Sequence, residues 1–483
     1  MLDYGAGKCK IANHLKALNP SQNVFVYDLD DLTLVNRKVN DVLIYHLNEN
    51  NLAPTFDLIN CNKVLCGTNT LIDQEIINNI WGLLTKNGNL ILSICNPFFD
   101  GKFNTQLVNK GNFDNDDYYQ KIFLFSKHTI YGDRDEYHKP YLYYERLLTK
   151  NNFLVDQIKQ DETVSYNLED ISDHLYFCCH KTIKNQLDNC TLLIKTNPMD
   201  HVIIVPSILH IVRQLTKTDV FKEIIVIVDD IDHQKNRVFA NDDLNDLTNK
   251  LCYLKDCLYI DKVYYASKYL DLQPSIYEKY FNTKCNNCQS SNKQQLFASL
   301  LGFELVKTQY VLQTDCDILY FNNGKQTIKD ALNILIKEQA LTLAFSIYHA
   351  ENKEFNVGNR IEVRTCFLDL QLLNSLLPLN NLIINDQFNL AWHQALDLKS
   401  NKFKSIRLYS KDLWFVHPEN ELKKNKLNYI GYVSQYLEHN ILPSTFQLDQ
   451  VNLVSVPNFT DLFPSLKTSS KMVIYSRGYN VPI

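Results

Sequence analysis

The chain has 483 residues, a length that favours two or three domains over one hydrophobic core. Hydrophobic residues make up 45% and charged residues 21% of it, which is the balance of a globular protein. The net charge of −5 provides no general positive field, so we expect no nucleic-acid partner.

Targeting signals are absent from the sequence. No run of about 18 apolar residues occurs, so we expect no transmembrane segment. Peripheral contact with a membrane surface is compatible with this expectation. The start of the chain has neither the basic flank nor the apolar stretch of a signal peptide. With 13 cysteines and no export signal, we expect a cytoplasmic protein with free thiols. Cys285 and Cys288 have C-x-x-C spacing without a second pair nearby, so we interpret them as loop thiols.

The first third of the chain alternates short apolar strands with helices. Its first strand runs into Gly5-Ala6-Gly7 and is followed by a helical stretch at 11–18. Further strands are predicted at Val24–Tyr27, Phe56–Asn60, Asn89–Ile94 and His174–Cys179, and helices at Asp73–Leu84 and Tyr141–Lys150. This alternation predicts a mainly parallel sheet covered on both faces by helices.

A second α/β series follows a polar segment at 182–190, which lacks apolar periodicity and is the predicted linker. We therefore predict one domain over 1–181 and another over 191–483. In the second series, strands are predicted at Thr191–Lys195, Glu223–Val228, Tyr310–Gln313 and Leu341–Ser346, and helices at Ile208–Leu215 and Gln294–Thr308.

The glycine turn after the first strand has the pattern of a nucleoside-binding site. Glycines permit positive φ and a close approach of ligand to backbone, and the N-terminus of the next helix offers unpaired N–H groups. The second strand ends at Asp28, where a carboxylate can accept hydrogen bonds from ribose hydroxyls. A dehydrogenase would share this layout.

Residues 1–180 resemble class I S-adenosylmethionine-dependent methyltransferases. The family's acidic residue, two spaced glycines and acidic residue after the second strand match Asp3, Gly5, Gly7 and Asp28. Segments 56–60, 83–92 and 143–153 resemble the family's fourth strand, its helix, glycine turn and fifth strand, and a later helix. The resemblance implies S-adenosylmethionine as cofactor, with these cofactor-binding residues: Asp3, Gly5, Ala6, Gly7, Asp28 and Asn60.

Two features depart from the family pattern. Cys9 stands where a third glycine is common, and the chain begins almost on its first strand, without the family's upstream helix. We interpret this domain as N-terminally short, either truncated or degraded. Methyl transfer to an acceptor that is already nucleophilic depends mainly on positioning, so no base is assigned here.

The triplet Asp315-Cys316-Asp317 follows an apolar strand in the second series. Alternate spacing on an extended segment places the two carboxylates on the same side. They repel each other unless a cation lies between them, and their hard oxygen ligands suit Mg²⁺ or Mn²⁺. The triplet therefore predicts a metal site for a diphosphate, although the same spacing also occurs in turns without a ligand.

Residues 191–483 resemble GT-A-type glycosyltransferases, in which a D-x-D follows a central strand of a nucleotide-binding sheet. The resemblance implies a nucleotide-sugar donor and a glycan or small-molecule acceptor. The implied nucleotide-sugar-binding residues are Lys195, Thr196, Asp229, Asp230, Asp315 and Asp317. Asp386 matches the position of an acceptor-activating base, and His417 that of a third metal ligand beside Asp315 and Asp317.

As a whole, the sequence resembles bacterial fusions of a class I methyltransferase and a glycosyltransferase. The predicted fold is α/β, with a Rossmann-like methyltransferase sheet followed by a GT-A-like nucleotide-sugar-binding domain. One alternative keeps the glycosyltransferase and makes the N-terminal half a non-catalytic scaffold. Another is a nucleotide-binding interaction protein in which Asp315 and Asp317 are turn residues. Trp392 and His393 either contact a sugar or pack within a helix.

Overall fold

The computed structural model describes residues 1–7, 9–28, 35, 41–45, 55–95, 105–106, 123–129, 132–160, 174–231, 240–285, 289–290, 296–346, 355–358, 364–384, 387–410 and 412–416. The chain divides into two compact units. The first unit consists of Met1–Ile183 and Asp256–Leu258, and the second of Lys184–Lys255 and Tyr259–Ile483. Each unit contains its own large sheet.

The first unit is built on a seven-stranded sheet in the order β3-β2-β1-β4-β5-β10-β9. Its strands are β1 (Leu2–Tyr4), β2 (Phe25–Tyr27), β3 (Leu43–Ile44), β4 (Phe56–Asn62), β5 (Leu84–Cys95), β9 (Phe153–Gln160) and β10 (His174–Lys181). Strands β1 to β5 are parallel, and β10 is antiparallel to both of its neighbours. The order 3-2-1-4-5 is that of a doubly wound sheet, which confirms the predicted Rossmann-like α/β class.

Helices and a small sheet also belong to the described part of the first unit. The helices are α1 (Lys10–Leu18), α2 (Thr70–Leu83) and α3 (Tyr141–Lys150), with a 3₁₀ turn at Leu65–Gly67. Strands β6 (Thr105–Gln106), β7 (Phe123–Thr129) and β8 (Gly132–His138) form an antiparallel sheet. Asn69 precedes α2 as its N-cap residue, and its side chain accepts hydrogen bonds from the N–H groups of Leu71 and Ile72 in the first turn of the helix.

The second unit contains an eight-stranded sheet in the order β13-β12-β11-β15-β19-β17-β22-β18. Its strands are β11 (Asn185–Thr196), β12 (Asp219–Val228), β13 (Lys262–Tyr265), β15 (Tyr310–Asp315), β17 (Thr342–Ser346), β18 (Phe355–Gly358), β19 (Thr365–Asp369) and β22 (Ser405–Tyr409). Strands β13, β12, β11 and β15 are parallel, and β19 runs antiparallel between β15 and β17. The 3-2-1-4 order of a doubly wound sheet therefore occurs in this unit as well.

Two small sheets and seven α-helices belong to the described part of the second unit. One sheet pairs β16 (Leu319–Asn322) with β23 (Leu413–Val416), and the other joins β14 (Gln289–Ser290), β20 (Ile383–Ile384) and β21 (Gln387–Phe388). The helices are α4 (Ile204–Leu215), α5 (Asn241–Asp256), α6 (Gln273–Phe281), α7 (Leu296–Leu305), α8 (Ile328–Lys337), α9 (Leu370–Leu376) and α10 (Trp392–Asp397). Short 3₁₀ turns lie at Pro198–Asp200, Ala266–Leu272 and Ser400–Lys402. Helix α7 is apolar on all sides and is buried from Leu296 to Phe303, as expected of a helix within a core.

The segment predicted as a linker differs from the structure. Residues 185–190 form the first half of β11, where Asn185 aligns with Asp219 and Leu187 with Phe221 of the parallel strand β12. A register shift then separates this half from the apolar half that begins at Thr191. The polar composition of 185–189 gives no signal for a strand. The segment forms a strand because its backbone pairs with β12, which lies further along the chain.

The cysteine prediction is wrong at one position. Cys285 is disulfide-bonded, whereas a free loop thiol was expected there. Whether a disulfide forms depends on a loop placing two sulfur atoms at bonding distance, which spacing alone does not determine. Cys288 lies outside the described residues. Within the described segments, no helix has both the length and the apolar character required to cross a membrane.

Candidate functional site

The glycine turn of the first unit closes onto the end of β2. The N–H groups of Gly5 and Ala6 donate to the carbonyl oxygen of Tyr27 at 2.7 and 2.9 Å. The N–H of Gly7 donates to Oδ2 of Asp28 at 2.8 Å. The turn and the acidic residue, which the sequence predicted as parts of one site, are therefore in direct contact.

The two glycines of this turn have different surroundings. Both have positive φ, 71° at Gly5 and 46° at Gly7. A Cβ on Gly5 would lie 2.3 Å from Cγ2 of Val64, whereas a Cβ on Gly7 would meet no atom within 4 Å. The turn is thus closed against the protein at Gly5 and open at Gly7, where a ligand can approach the backbone.

Asp3 and Asn60 join neighbouring strands beneath the turn. They align on the parallel strands β1 and β4, and Nδ2 of Asn60 donates to Oδ1 of Asp3 at 2.7 Å. Burial raises the pKa of Asp3, while hydrogen bonds from Asn60 and from the Ala12 N–H lower it. Asp3 therefore connects β1, β4 and the start of α1, and direct contact of Asp3 with a cofactor stays a prediction.

Cys9 begins α1 in an unusual conformation. Its φ is 50°, in the left-handed region that favours glycine, and its side chain is fully buried. Its N–H donates to the carbonyl oxygen of Ala6 at 2.8 Å, which closes the turn. The buried thiol packs with Ala12, Val24 and Val26. The backbone at Cys9 thus has a conformation that glycine adopts more readily than other residues.

The glycine turn and Asn60 lie at the place where a doubly wound sheet binds its ligands. The strand order reverses between β1 and β4, and their carboxyl ends carry the glycine turn and Asn60. Ligands of open parallel sheets bind in the crevice at such a switch point. The second unit has the equivalent point between β11 and β15, whose carboxyl ends carry Lys195 and Asp315.

Lys195 and Asp315 form the centre of the second site. They are aligned on the parallel strands β11 and β15, so both side chains leave the same face of the sheet. Nζ of Lys195 lies 3.0 Å from Oδ1 of Asp315. The side chain of Lys195 is nearly buried, and that of Asp315 retains 33% of its surface exposed. A buried lysine therefore contacts a carboxylate that is partly exposed to solvent.

Backbone hydrogen bonds hold the Asp-Cys-Asp turn on three sides. The N–H of Asp315 donates to the carbonyl oxygen of Arg364, and that of Cys316 to the carbonyl oxygen of Lys195, each at 2.9 Å. The N–H of Ile318 then donates back to Asp315 at 3.3 Å, which turns the chain into β16. The turn is fixed by its neighbours, and Cys316 is buried beneath it.

Three charged groups act on the carboxylate of Asp315 at this turn. Desolvation raises the pKa of Asp315, the cation of Lys195 lowers it, the charge of Asp317 raises it, and that of Arg364 lowers it. The partial exposure of Asp315 lets solvent moderate these effects. The predicted pair Asp315 and Asp317 is thus close enough for mutual repulsion, and two cations accompany it.

Other predicted nucleotide-binding residues have local partners. The Thr196 hydroxyl donates to Asp200 at 3.4 Å, next to the capping box of the turn Pro198–Asp200. Asp230 accepts hydrogen bonds from the N–H and hydroxyl of Ser267 at 2.8 and 2.5 Å. Asp229 is buried, and its N–H donates to the carbonyl oxygen of Thr196 at 2.9 Å. Their contact with a nucleotide stays a prediction.

Two predicted residues lie outside the described part of the chain, namely the base Asp386 and the metal ligand His417. Strand β23 ends at Val416, which pairs with Leu319 just beyond the Asp-Cys-Asp turn. Among the described residues, no group of three or more His, Cys, Asp or Glu side chains forms a metal cluster. The predicted metal site therefore consists here of Asp315 and Asp317.

The sequence predicted no role for Arg364, and it left two alternatives for His393, a sugar contact or packing within a helix. The charge of Arg364 acts on the pKa of Asp315 because β19, which follows Arg364, pairs with β15. No local sequence motif predicts that pairing. Nδ1 of His393 is buried without a hydrogen-bond partner in the structure. Desolvation first, and then the charge of Lys195, lower the pKa of His393 to about 4. Its neighbour Trp392 packs edge-on against Phe303, with ring centroids 5.1 Å apart, which favours the packing interpretation for Trp392.

No family model matches the sequence, and no curated protein matches it. Among solved structures, the chain is similar to a candidate S-adenosylmethionine-dependent methyltransferase from Listeria monocytogenes, with 18% identity and a TM-score of 0.30 over 38% of this chain and 89% of that one. It is also similar to an S-adenosylmethionine-dependent methyltransferase from Mesorhizobium loti, with 12% identity and a TM-score of 0.28 over 37% and 89% of the two chains. A third is the Burkholderia thailandensis 1,6-didemethyltoxoflavin-N1-methyltransferase, with 19% identity and a TM-score of 0.25 over 38% and 70%. At these identities and TM-scores the likenesses add no functional information.

Proposed function

We propose that the chain is a transferase with two sites. The first unit would transfer a methyl group from S-adenosylmethionine, and the second would transfer a sugar from a nucleotide-sugar donor to a glycan or small-molecule acceptor. The observation that carries the first assignment is the Gly7–Asp28 hydrogen bond at the switch point of the sheet.

The first site suits an adenosyl cofactor better than a dinucleotide. The open space beside Gly7 admits a ligand to the backbone, and Asp28 supplies a carboxylate at the end of β2 for a ribose. A dinucleotide fingerprint G-x-G-x-x-G that begins at Gly5 needs a glycine or alanine three positions after Gly7, and Lys10 stands there. S-adenosylmethionine has no pyrophosphate, so its binding does not require the complete dinucleotide fingerprint.

In this site the protein would bind and orient the two reactants. When bound, S-adenosylmethionine would supply the methyl group of its sulfonium to a nucleophilic acceptor atom, with S-adenosylhomocysteine as the leaving product. Asp28 would hold the ribose, and Asp3 with Asn60 would keep the turn in place. Because the sulfonium is a good leaving group, positioning provides most of the rate.

Titration calorimetry of the full chain with S-adenosylmethionine tests this proposal. We expect binding, and a loss of at least about tenfold in affinity for Asp28→Ala, because charged hydrogen-bond partners contribute ~1.5–3 kcal/mol. Asp57→Ala is the matched control, since Asp57 is exposed at the opposite end of β4. Absence of binding to the wild type would favour the alternative in which this unit is a non-catalytic scaffold.

The charged residues at the switch point of the second unit support the proposal of glycosyl transfer. Asp315 and Asp317 offer hard oxygen ligands whose mutual repulsion a divalent cation would relieve, so these residues fit Mg²⁺ or Mn²⁺. When bound, such an ion neutralises charge on the departing nucleoside diphosphate. Lys195 and Arg364 would bind phosphate oxygens, and Asp386 would accept the proton of the acceptor hydroxyl as its oxygen bonds to the sugar.

A panel of nucleotide sugars, each with Mn²⁺, tests the second assignment. We expect one donor to be bound and slowly hydrolysed by the wild type, and both activities to fall at least about a hundredfold in Asp315→Ala and Asp317→Ala. Asp188→Ala is the control, because Asp188 is exposed in the amino-terminal half of β11. If the wild type neither binds nor hydrolyses any donor, the glycosyltransferase proposal fails, and the interaction-protein alternative remains.

A further inference from the structure

The carboxylates of the Asp-Cys-Asp turn already have protein cations beside them. Nζ of Lys195 lies 3.0 Å from Oδ1 of Asp315, and the charge of Arg364 acts on the same carboxylate. The charges of these two cations balance those of Asp315 and Asp317. The side chain of Lys195 is only 7% exposed, so little solvent screens its charge from that of Asp315.

A divalent cation at Asp315 would compete with Lys195. The metal needs carboxylate oxygens, and one of them now faces the ammonium group. Two cations at one carboxylate repel each other, more strongly where solvent is limited. A diphosphate changes this balance, because its oxygens accept hydrogen bonds from an ammonium group as a carboxylate does.

We propose that Lys195 is an internal counter-ion that makes metal binding at Asp315 and Asp317 depend on a diphosphate ligand. Without a diphosphate, Lys195 neutralises Asp315 and a metal ion binds weakly. With a diphosphate, Lys195 turns to the phosphate oxygens and leaves Asp315 to the metal. Because coupling between two ligands is reciprocal, each raises the affinity for the other by the same factor.

Competition between Lys195 and a metal follows from the observed contact and does not depend on catalysis. The role of the diphosphate rests on the proposed glycosyltransferase function. Lys195 acts on the metal through Asp315, so the appropriate measurement is metal affinity and not turnover.

Manganese binding to the full chain tests the competition directly, with free Mn²⁺ measured by electron paramagnetic resonance. We expect the neutral variants Lys195→Met and Lys195→Gln to bind Mn²⁺ alone about tenfold more tightly than the wild type. Two neutral variants are used because burial of a new side chain can impair folding, which circular dichroism monitors. Lys195→Arg retains the charge and should keep the weak affinity, and Asp315→Asn combined with Lys195→Gln should lose the gain.

The same titration in the presence of UDP or GDP tests the coupling. We expect the nucleotide to tighten Mn²⁺ binding to the wild type strongly and to the neutral variants much less. The inference is overturned if the neutral variants bind Mn²⁺ alone no more tightly than the wild type, including the case of no binding to either. If they gain affinity but no nucleoside diphosphate binds, the counter-ion role stands and the proposed glycosyltransferase function fails.

Discussion

Gly5 and Gly7 share positive φ, but only Gly5 is in close contact with a side chain, that of Val64. We therefore expect Gly7→Ala to cost ~1 kcal/mol of unfolding free energy, from the left-handed backbone alone. Gly5→Ala should cost ~2 kcal/mol more, since its Cβ would overlap Val64. Scanning calorimetry of the two variants checks the order, and equal losses would contradict the steric explanation.

His393 should make stability depend on pH. Its pKa in the folded protein is lowered to about 4, whereas the unfolded chain binds the proton near the ordinary value of 6.5. Between these values the unfolded state binds more protons, so stability is full above about pH 6.5 and falls as the pH drops towards 4, by up to ~1.4 kcal/mol per pH unit. His393→Gln should flatten this part of the profile relative to the wild type in urea unfolding. A variant with an unchanged slope would show that His393 is not buried in its neutral form.

At the scale of elements, a buried ion pair joins α2 to the segment before α3. Nζ of Lys139 lies 2.5 Å from Oδ2 of Asp73, with both side chains fully buried. Lys139 also donates to the carbonyl oxygens of Leu65 and Thr68, and the Tyr143 hydroxyl donates to Asp73 at 2.8 Å. The pair is therefore supported by hydrogen bonds on both sides, which is the condition under which a buried ion pair is tolerated.

Breaking this pair on one side should be more damaging than replacing it. We expect Lys139→Met alone to cost ~3–5 kcal/mol, because Asp73 would remain as an uncompensated buried charge. The double variant Asp73→Leu with Lys139→Met should recover much of that loss in urea unfolding. The exposed pair His180–Asp156 in the same unit is the comparison, and Asp156→Ala should change stability by less than ~1 kcal/mol. A double variant less stable than Lys139→Met would refute this account.

Elements with local signals could be predicted from the sequence, and those that depend on distant partners could not. Helix α3 has the predicted bounds, and apolar runs located β2, β4 and β15 to within a few residues. The antiparallel strand β19 and the first half of β11 were missed, since their pairing partners lie far along the chain. The same limit applied to the candidate site. Asp28 and Asp315 were visible in motifs, but the charge of Arg364 reaches Asp315 only through tertiary pairing.

At the scale of the whole molecule, the two units have separate sheets and separate candidate sites. We expect S-adenosylmethionine to raise the thermal transition of the first unit, and a nucleoside diphosphate with Mn²⁺ to raise that of the second. At a ligand concentration of 100 times Kd, the stabilisation should be ~2.7 kcal/mol. Calorimetry with each ligand alone and with Asp28→Ala or Asp315→Ala identifies which transition moves. A shift that survives the substitution in its own site would refute the assignment of that ligand.

The distance along the chain between strands that share a site also sets when each site can appear during synthesis. In the first unit, Asp3 and Asn60 are 57 positions apart, whereas in the second the hydroxyl groups of Thr191, on β11, and Thr308, just before β15, form a hydrogen bond across 117 positions. The chain loses conformational entropy when it closes the longer loop, before the contact adds any stabilisation. Contacts between residues that are distant in sequence therefore form slowly. A growing chain could thus fold around an adenosyl ligand well before it could hold a nucleotide. Ligand capture by ribosome-bound chains of increasing length would then report the order in which the two sheets form.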